Sequence, residues 1–395
     1  MSTARGPGNQ PPLALYVHLP WCVRKCPYCD FNSYTAGEAE AFERYLDALL
    51  ADIRFEAQRA AGRPLISVFL GGGTPSLFTP MQIATLLDEL ADRFALASDI
   101  EITMEANPGT VECGDPAGYL KAGVNRLSIG AQSFSAEALE SLGRIHSVED
   151  IERAVLEARA SGFDNINLDI MYGLPGQSVS DAVADLEHAA EMHPQHLSWY
   201  QLALEPNTVF HARPPADMPD DELSFSIQTR GQERLAELGF EQYEVSAYAR
   251  DGRRAEHNLN YWTFGDYLAV GAGAHGKVSN AEGVWRYMKP ANPKQYMEHI
   301  EAGGSSLELK SVAVADRLFE FMLNALRLTD GFTEDLFTDR TGLPGEFLRE
   351  RMTPSVEKGL IVASGERRWQ VTPLGQRFLN DLQAEFLPKQ GPIRA

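Results

Sequence analysis

Cys22, Cys26 and Cys29 fall within eight residues of the run YVHLPWCVRKCPYCDFNSY, in a C-x3-C-x2-C spacing. Three thiolates this close can hold three irons of a cubane 4Fe-4S cluster and leave the fourth iron open to a ligand, as a four-cysteine site cannot. Pro20 and Pro27 keep the intervening chain out of regular helix, which suits a wrap around a cluster. The competing chemistry is a structural zinc site, which closes with four ligands; His18 could complete a Cys3His set. Cys113 is far away in sequence and unpaired. Disulfides fit poorly, because three thiols cannot pair among themselves and no secretory signal points to an oxidising compartment.

The elements that must position this loop read as alternating strand and helix. LALYVHL at 13–19 reads as a buried strand and the amphipathic stretch from Glu38 to about Ala60 as a long helix. The alternation recurs as LISVFL then 80–95, DIEITME then 116–122, NRLSIGA then 147–161, NINLDIMYGL then 179–191, and HLSWYQLAL then 219–238. About six such units predict an α/β fold, a parallel sheet with right-handed crossovers, closed or partly closed into a (β/α)6 barrel. Chemistry in such sheets gathers at the C-terminal strand ends, where the cysteine loop sits.

Other strand ends carry further polar groups. Gly71, Gly72, Gly73 and Thr74 follow the second strand, where glycine lets backbone approach a ligand closely, although a lone GGG is equally a tight turn. Glu105, Gln132 and Asp169 close the third, fourth and fifth strands, and Arg144 follows the fourth. Each alone reads as a cap or a solvated loop residue; recurring at one end of a barrel, where buried charge costs desolvation, they favour a ligand.

The cysteine loop after a short strand, followed by LGGGTPS at 70–76, resembles the radical S-adenosylmethionine (SAM) enzymes, and the details resemble their oxygen-independent coproporphyrinogen III oxidase branch. Within it the chain looks most like the HemW-type haem chaperones. The coproporphyrinogen dehydrogenases carry C-x3-C-x2-C-x-C, whereas Phe31 stands at that further position, and they carry a long N-terminal extension where about a dozen residues precede the first strand here. The resemblance implies a 4Fe-4S cluster on Cys22, Cys26 and Cys29 that reduces bound SAM to methionine and a 5'-deoxyadenosyl radical. It implies Tyr16, Gly72 and Glu105 around that SAM, and Tyr28, Gly73, Thr74, Gln132, Arg144, Asp169 and Ala203 around a second ligand, a second SAM in the dehydrogenases. No residue is assigned as catalytic.

HNLNYW at 257–262 matches the HNxxYW motif of the haem-chaperone branch, which makes His257 the candidate haem residue with Tyr261 and Trp262 as apolar walls. Without the resemblance, His257 reads as a satisfied loop histidine and the aromatics as core. GAGAHG at 271–276 fits G-x-G-x-x-G, but KVSNAEG after it does not open a helix to hold a pyrophosphate, so it reads as a turn lining the ligand cavity.

The chain divides into a flexible tail at 1–12, a barrel at 13–250, a haem-motif region and linker at 251–306, and a C-terminal module at 307–395. Past a Gly/Ser break at 303–306, an apolar-periodic helix at 311–328, two further helices, a hairpin at 360–372 and a closing helix near 374–386 suggest a winged-helix-like module. Residues 311–395 hold 11 Lys/Arg and 12 Asp/Glu, so partner docking or packing fits this module better than DNA. The whole chain of 395 residues has a formal net charge of −20, against a nucleic-acid partner, and no apolar run long enough to span a membrane.

The expectation is a cytoplasmic haem chaperone that binds the cluster, SAM and haem and hands haem to apo-haemoproteins of respiration. Peripheral membrane association and a homodimer are compatible with it. The alternatives are a coproporphyrinogen III dehydrogenase that decarboxylates propionates, and a zinc-stabilised interaction protein.

Overall fold

A computed structural model describes residues 10–109 and 114–388. Cys113 and the first nine residues of the expected tail lie outside the described residues.

The apolar runs form strands β1 (Leu13–Leu19), β2 (Leu65–Gly72), β3 (Leu96–Ala106), β4 (Arg126–Gln132), β5 (Ile166–Tyr172) and β6 (His196–Gln201). They pair in parallel in that order. Both faces are covered, so β1 and β4 are almost wholly buried. The first crossover is helix α1 (Ala39–Ala60), whose apolar stripe of Tyr45, Leu46, Leu49 and Ile53 faces the sheet. Helices Pro80–Arg93, Pro116–Ala122, Val148–Ala160, Val179–Glu191 and Asp221–Glu237 make the other crossovers, and all but the first are started by Ser or Asp side-chain caps.

Among the described residues the sheet does not close. Beyond β6 it continues into an antiparallel pair, β7 (Glu241–Glu244) and β8 (Ala247–Ala249). On the other side, β9 (Asp266–Val270) lies parallel to β1. The meander β10 (His275–Asn280), β11 (Gly283–Met288) and β12 (Glu308–Ser311) extends that edge. The fold is therefore a partial barrel in a twelve-stranded sheet.

After it come helices Val314–Ala325, Glu334–Thr341 and Gly345–Glu357, the hairpin Ile361–Gly365 with Arg368–Val371, and two short closing helices. Their core of Phe321, Met322, Phe337, Leu348 and Met352 also takes in Phe264 and Val284 from the sheet region.

A buried charge cluster ties α1 to the β9–β11 edge. Lys289 Nζ donates to Asp52 at 2.5 Å, to Glu56 at 2.8 Å and to the Ser305 carbonyl at 2.8 Å, with all three ionic side chains fully buried. Asp52 also accepts from the Gly271 amide and the Tyr296 hydroxyl, and Tyr287 donates to Glu56. Beside it, the Tyr45 hydroxyl donates to the His18 carbonyl and accepts from the Ala272 amide. Together these contacts fix the ends of β1 and β9 relative to each other.

Removing one partner of such a cluster leaves a buried charge uncompensated. Lys289→Met should therefore lower unfolding free energy by about 3–5 kcal/mol in urea titration, and a loss below ~1 kcal/mol would show that the cluster is not a structural tie.

Candidate functional site

The C-terminal ends of β1 to β6 converge on one cavity of about 450 Å³. Cys22, Cys26 and Cys29 line part of its wall. Their loop has little regular structure and is held by specific contacts. Trp21–Cys22 pairs with Tyr34–Thr35, the Gly73 amide donates to the Leu19 carbonyl, and the Thr74 amide donates to the Trp21 carbonyl. Lys25 Nζ donates to the carbonyls of Phe31 at 3.0 Å and Ser33 at 3.4 Å, stapling the loop from outside.

The glycines after β2 answer to this packing. A Cβ on Gly73 would meet Trp21 O at 2.5 Å, and one on Gly72, whose φ is +119°, would meet the His18 ring at 2.4 Å. Position 73 excludes a side chain because the cysteine loop presses against it, and position 72 because of its left-handed φ and the His18 ring of β1.

The three thiols are free, with Cys22 buried and the other two partly buried. Burial pushes the Cys22 thiol up to about 11 and raises Cys29, so metal uptake here must displace protons. Three thiols border one cavity, and no fourth thiol joins them among the described residues. Separate vertices of a multi-iron cluster suit that donor set better than a single tetrahedral zinc does. His18 is not placed as a fourth donor, since its Nδ1 meets the Tyr16 hydroxyl at 2.9 Å and its Nε2 the Asn32 carbonyl at 2.9 Å.

Nine of the ten residues carried over for SAM and the second ligand line this cavity: Tyr28, Gly72, Gly73, Thr74, Glu105, Gln132, Arg144, Asp169 and Ala203. Arg144 spans from sulfur to sheet, donating to Cys26 Sγ at 3.4 Å, to Asn107 Oδ1 at 2.7 Å and to the Gly130 carbonyl. Asn107 in turn donates to Thr74. Gln132 sits at φ +69°, a strained conformation for a non-glycine residue, and its Oε1 accepts from the Tyr200 hydroxyl at 2.9 Å. Asp185 braces the next turn by accepting from the Ser133 hydroxyl and the Phe134 amide.

Two carboxylates line the same cavity. Glu105 accepts from the Gly72 amide at 3.0 Å, and burial, then the nearby Asp169 charge, raises its pKa to about 7. Asp169 accepts from Ser128 at 3.0 Å and Asn167 at 2.9 Å, and burial raises its pKa too. From Asn167 the buried chain continues through His196 to Tyr243 and the Ala255 amide. Carboxylates and thiols in one cavity suit a ligand that carries hydroxyls and positive charge together with metal-binding groups.

Tyr16 stands apart. It faces a second cavity of about 430 Å³ that shares Phe31, Gly72 and Glu105 with the first and is also walled by Tyr261, Tyr267 and the 273–275 segment. The turn expected over 271–276 is present: the chain leaves β9 at Val270 and enters β10 at His275.

The haem motif forms a short helix, Glu256–Trp262, held at its start by Glu101, which accepts from the amides of Glu256 and His257. Of the three carried-over haem residues, Tyr261 borders the second cavity, and His257 and Trp262 border neither of the two. His257 lies beneath, buried against the Phe69 ring, with Nδ1 3.2 Å from Ser67 Oγ and Nε2 3.0 Å from the Tyr261 hydroxyl. Burial, then the Arg126 charge, lowers its pKa to about 3, so the ring is neutral. Trp262 packs under the Arg327 guanidinium.

Sequence reading did not find Asn107, Asn167, Asp185, Tyr200 or Tyr267. Asp185 lies within a crossover helix, and the others sit at or beside strands whose apolar pattern hides single polar positions.

Two family models match the chain: the radical SAM superfamily over residues 16–189 and the HemN C-terminal domain over 312–378. A protein of Escherichia coli described as heme chaperone HemW is 45% identical over 379 residues, covering 95% of this chain and 98% of that protein. Its counterpart of the same name in Bacillus subtilis is 33% identical, covering 94% and 98%. Among solved structures, the E. coli coproporphyrinogen III oxidase HemN, described as a radical SAM enzyme, superposes with a TM-score of 0.80 at 25% identity, covering 96% of this chain and 90% of that one.

Cys26→Ser should lose iron and sulfide after anaerobic reconstitution, since a hydroxyl is a poor ligand for a soft metal; retained stoichiometry would remove Cys26 from the donor set. Glu105 has its pKa raised in the folded chain, so the folded state holds a proton that the unfolded state releases as pH rises. Its ionisation therefore costs nothing below about pH 4.5 and costs stability progressively as pH climbs toward about 7. Glu105→Gln should make the ligand-free chain more stable than the parent at pH 8 and no more stable at pH 4, and thermal unfolding at the two pH values reads the difference.

Proposed function

The chain belongs to the radical SAM superfamily and, within it, to the haem chaperones of the HemW type, and on that premise we propose that it binds a 4Fe-4S cluster, SAM and haem and delivers haem to apo-haemoproteins of respiration. One observation carries the reading: the three thiols and all ten residues carried over for SAM and a second ligand line two adjoining cavities that meet at Phe31, Gly72 and Glu105, which leaves room for two ligands beside one cluster. SAM at a cluster suits the side of Tyr16, Gly72 and Glu105, and the space lined by Tyr28, Gln132, Arg144 and Asp169 is left for a second ligand, which in this reading is haem.

Cys22, Cys26 and Cys29 would hold the cluster, whose low potential supplies an electron to bound SAM. Glu105 would orient SAM, and Asp169 the second ligand. Arg144 keeps positive charge beside Cys26, offsetting the charge that thiolates bring into the wall. The cytoplasm is where we place this chemistry; no helix among the described residues is long and apolar enough to cross a membrane.

The second reading, porphyrinogen decarboxylation, draws on the likeness to HemN. Against it, Phe31 stands where the dehydrogenase pattern has a further cysteine, and the residue is 58% exposed and lines both cavities.

The test is anaerobic. Haem-loaded chain mixed with an apo-cytochrome b should lose its haem spectrum as the acceptor gains one, while incubation with reductant, SAM and coproporphyrinogen should leave the porphyrinogen unchanged. Protoporphyrinogen formation without haem transfer would overturn the proposal in favour of the dehydrogenase.

A further inference from the structure

We propose that the HNLNYW helix belongs to the SAM site, with the Tyr261 ring a wall for the nucleoside half of SAM and His257 the residue that holds that ring in place. The inference rests on the reading that SAM binds beside Tyr16, Gly72 and Glu105, and it gives the motif a role other than ligating haem iron.

The two cavities decide which half of SAM meets which residues. The thiols border the first, while Tyr16, Tyr261 and Tyr267 border the second, and Gly72 and Glu105 are common to both. The amino and carboxylate groups of SAM are its metal-binding end and belong with the cluster. Its nucleoside then extends past Gly72 and Glu105 toward the three tyrosines, where a base can lie against aromatic surface.

The helix Glu256–Trp262 is fixed to three strands. Glu101 of β3 accepts from the amides of Glu256 and His257 at 3.2 Å each, and the Asn260 side chain donates to the Asp266 carbonyl at the start of β9 at 2.8 Å. His257 supplies the third tie, with Nδ1 3.2 Å from Ser67 Oγ of β2 and Nε2 3.0 Å from the Tyr261 hydroxyl. The ring that these ties deliver to the second cavity is Tyr261.

A layer of rings runs from the motif to Tyr16. Phe69 stacks on His257 with centroids 4.8 Å apart and on Tyr16 at 6.2 Å, and Tyr261 stands edge-on to His257 at 4.7 Å and to Tyr267 at 4.5 Å. Arg286 holds the far end by donating to the Tyr267 hydroxyl. His257 and Phe69 thus back the three tyrosines that border the cavity, and moving His257 disturbs the rings on both sides of it.

Histidine suits this place because it meets two hydroxyls at once while stacking on Phe69. Burial, then the Arg126 charge, keeps the ring neutral, which leaves one nitrogen to donate and one to accept. Both nitrogens are engaged inside the protein, so His257 is a positioning residue that acts on SAM through Tyr261.

The experiment uses full-length, cluster-reconstituted, reduced chain titrated with SAM under argon, and reads the SAM concentration at which half of the paramagnetic-resonance spectrum has shifted. Tyr261→Ala should raise that midpoint roughly tenfold. Tyr261→Phe and His257→Phe, which keep an aromatic ring, should each raise it about threefold. The double variant should be no worse than either single one, because both remove the same contact. Iron content and haemin affinity should match the parent throughout. An unchanged SAM midpoint in Tyr261→Ala overturns the proposal, and so does His257→Phe that loses haemin but keeps the parent's SAM midpoint, which makes the motif a haem site. Losses that add in the double variant overturn the role given to His257. If the parent spectrum is indifferent to SAM, the reading of the SAM site itself fails and takes this inference with it.

Discussion

The close backbone approach between the cysteine loop and the turn after β2 is the constraint on which the site depends. Residues 20–33 include two prolines and little regular structure, so they cannot place three sulfurs by themselves. Their position comes from the amides of Gly73 and Thr74, which donate to the Leu19 and Trp21 carbonyls across a gap too narrow for a side chain at position 73. The glycine run thus serves the protein's own packing first. The same glycines also border the cavity, so a single requirement for small residues shapes both the loop's anchorage and the ligand space.

A second tier of buried polar groups carries that placement outward. Tyr45, Asp52 and Glu56 lie on the buried face of α1, two turns and then one turn apart. Through the His18 carbonyl, the Ala272 amide and Lys289 they join the ends of β1 and β9. Breaking such an arrangement costs more than its net formation gains, because each group is left without solvent. The chain accepts that risk where two cavities share a wall, and there a shift of about 1 Å would disturb both ligands.

Much of the fold was legible in the sequence. The spacing of apolar runs placed β1 at residues 13–19 and the helices at 116–122 and 179–191 where the structure has them. Each of those helices also carries its own side-chain cap. The openness of the barrel was not legible, since whether β6 meets β1 depends on long-range pairing; β9 instead takes the free edge of β1. The site was legible where Glu105 and Gln132 end apolar runs; Asp169, expected to close its strand, lies at the middle of β5 with its side chain turned into the cavity. It was hidden where partners lie far apart in sequence, as for Lys289 with Asp52 or His196 with Asn167. The haem motif shows the difference between pattern and placement: HNLNYW is recognisable at once, yet the chain folds His257 inward, and of the three motif residues Tyr261 alone borders these two cavities.

The central claim is that the sulfurs of this loop leave one vertex of a cubane free for SAM. Paramagnetic resonance of anaerobically reconstituted, dithionite-reduced chain, recorded before and after addition of SAM, tests it most directly. The account predicts a 4Fe-4S signal whose g-values shift when SAM is added. A zinc-only centre with no signal, or a cluster spectrum indifferent to SAM, would contradict it.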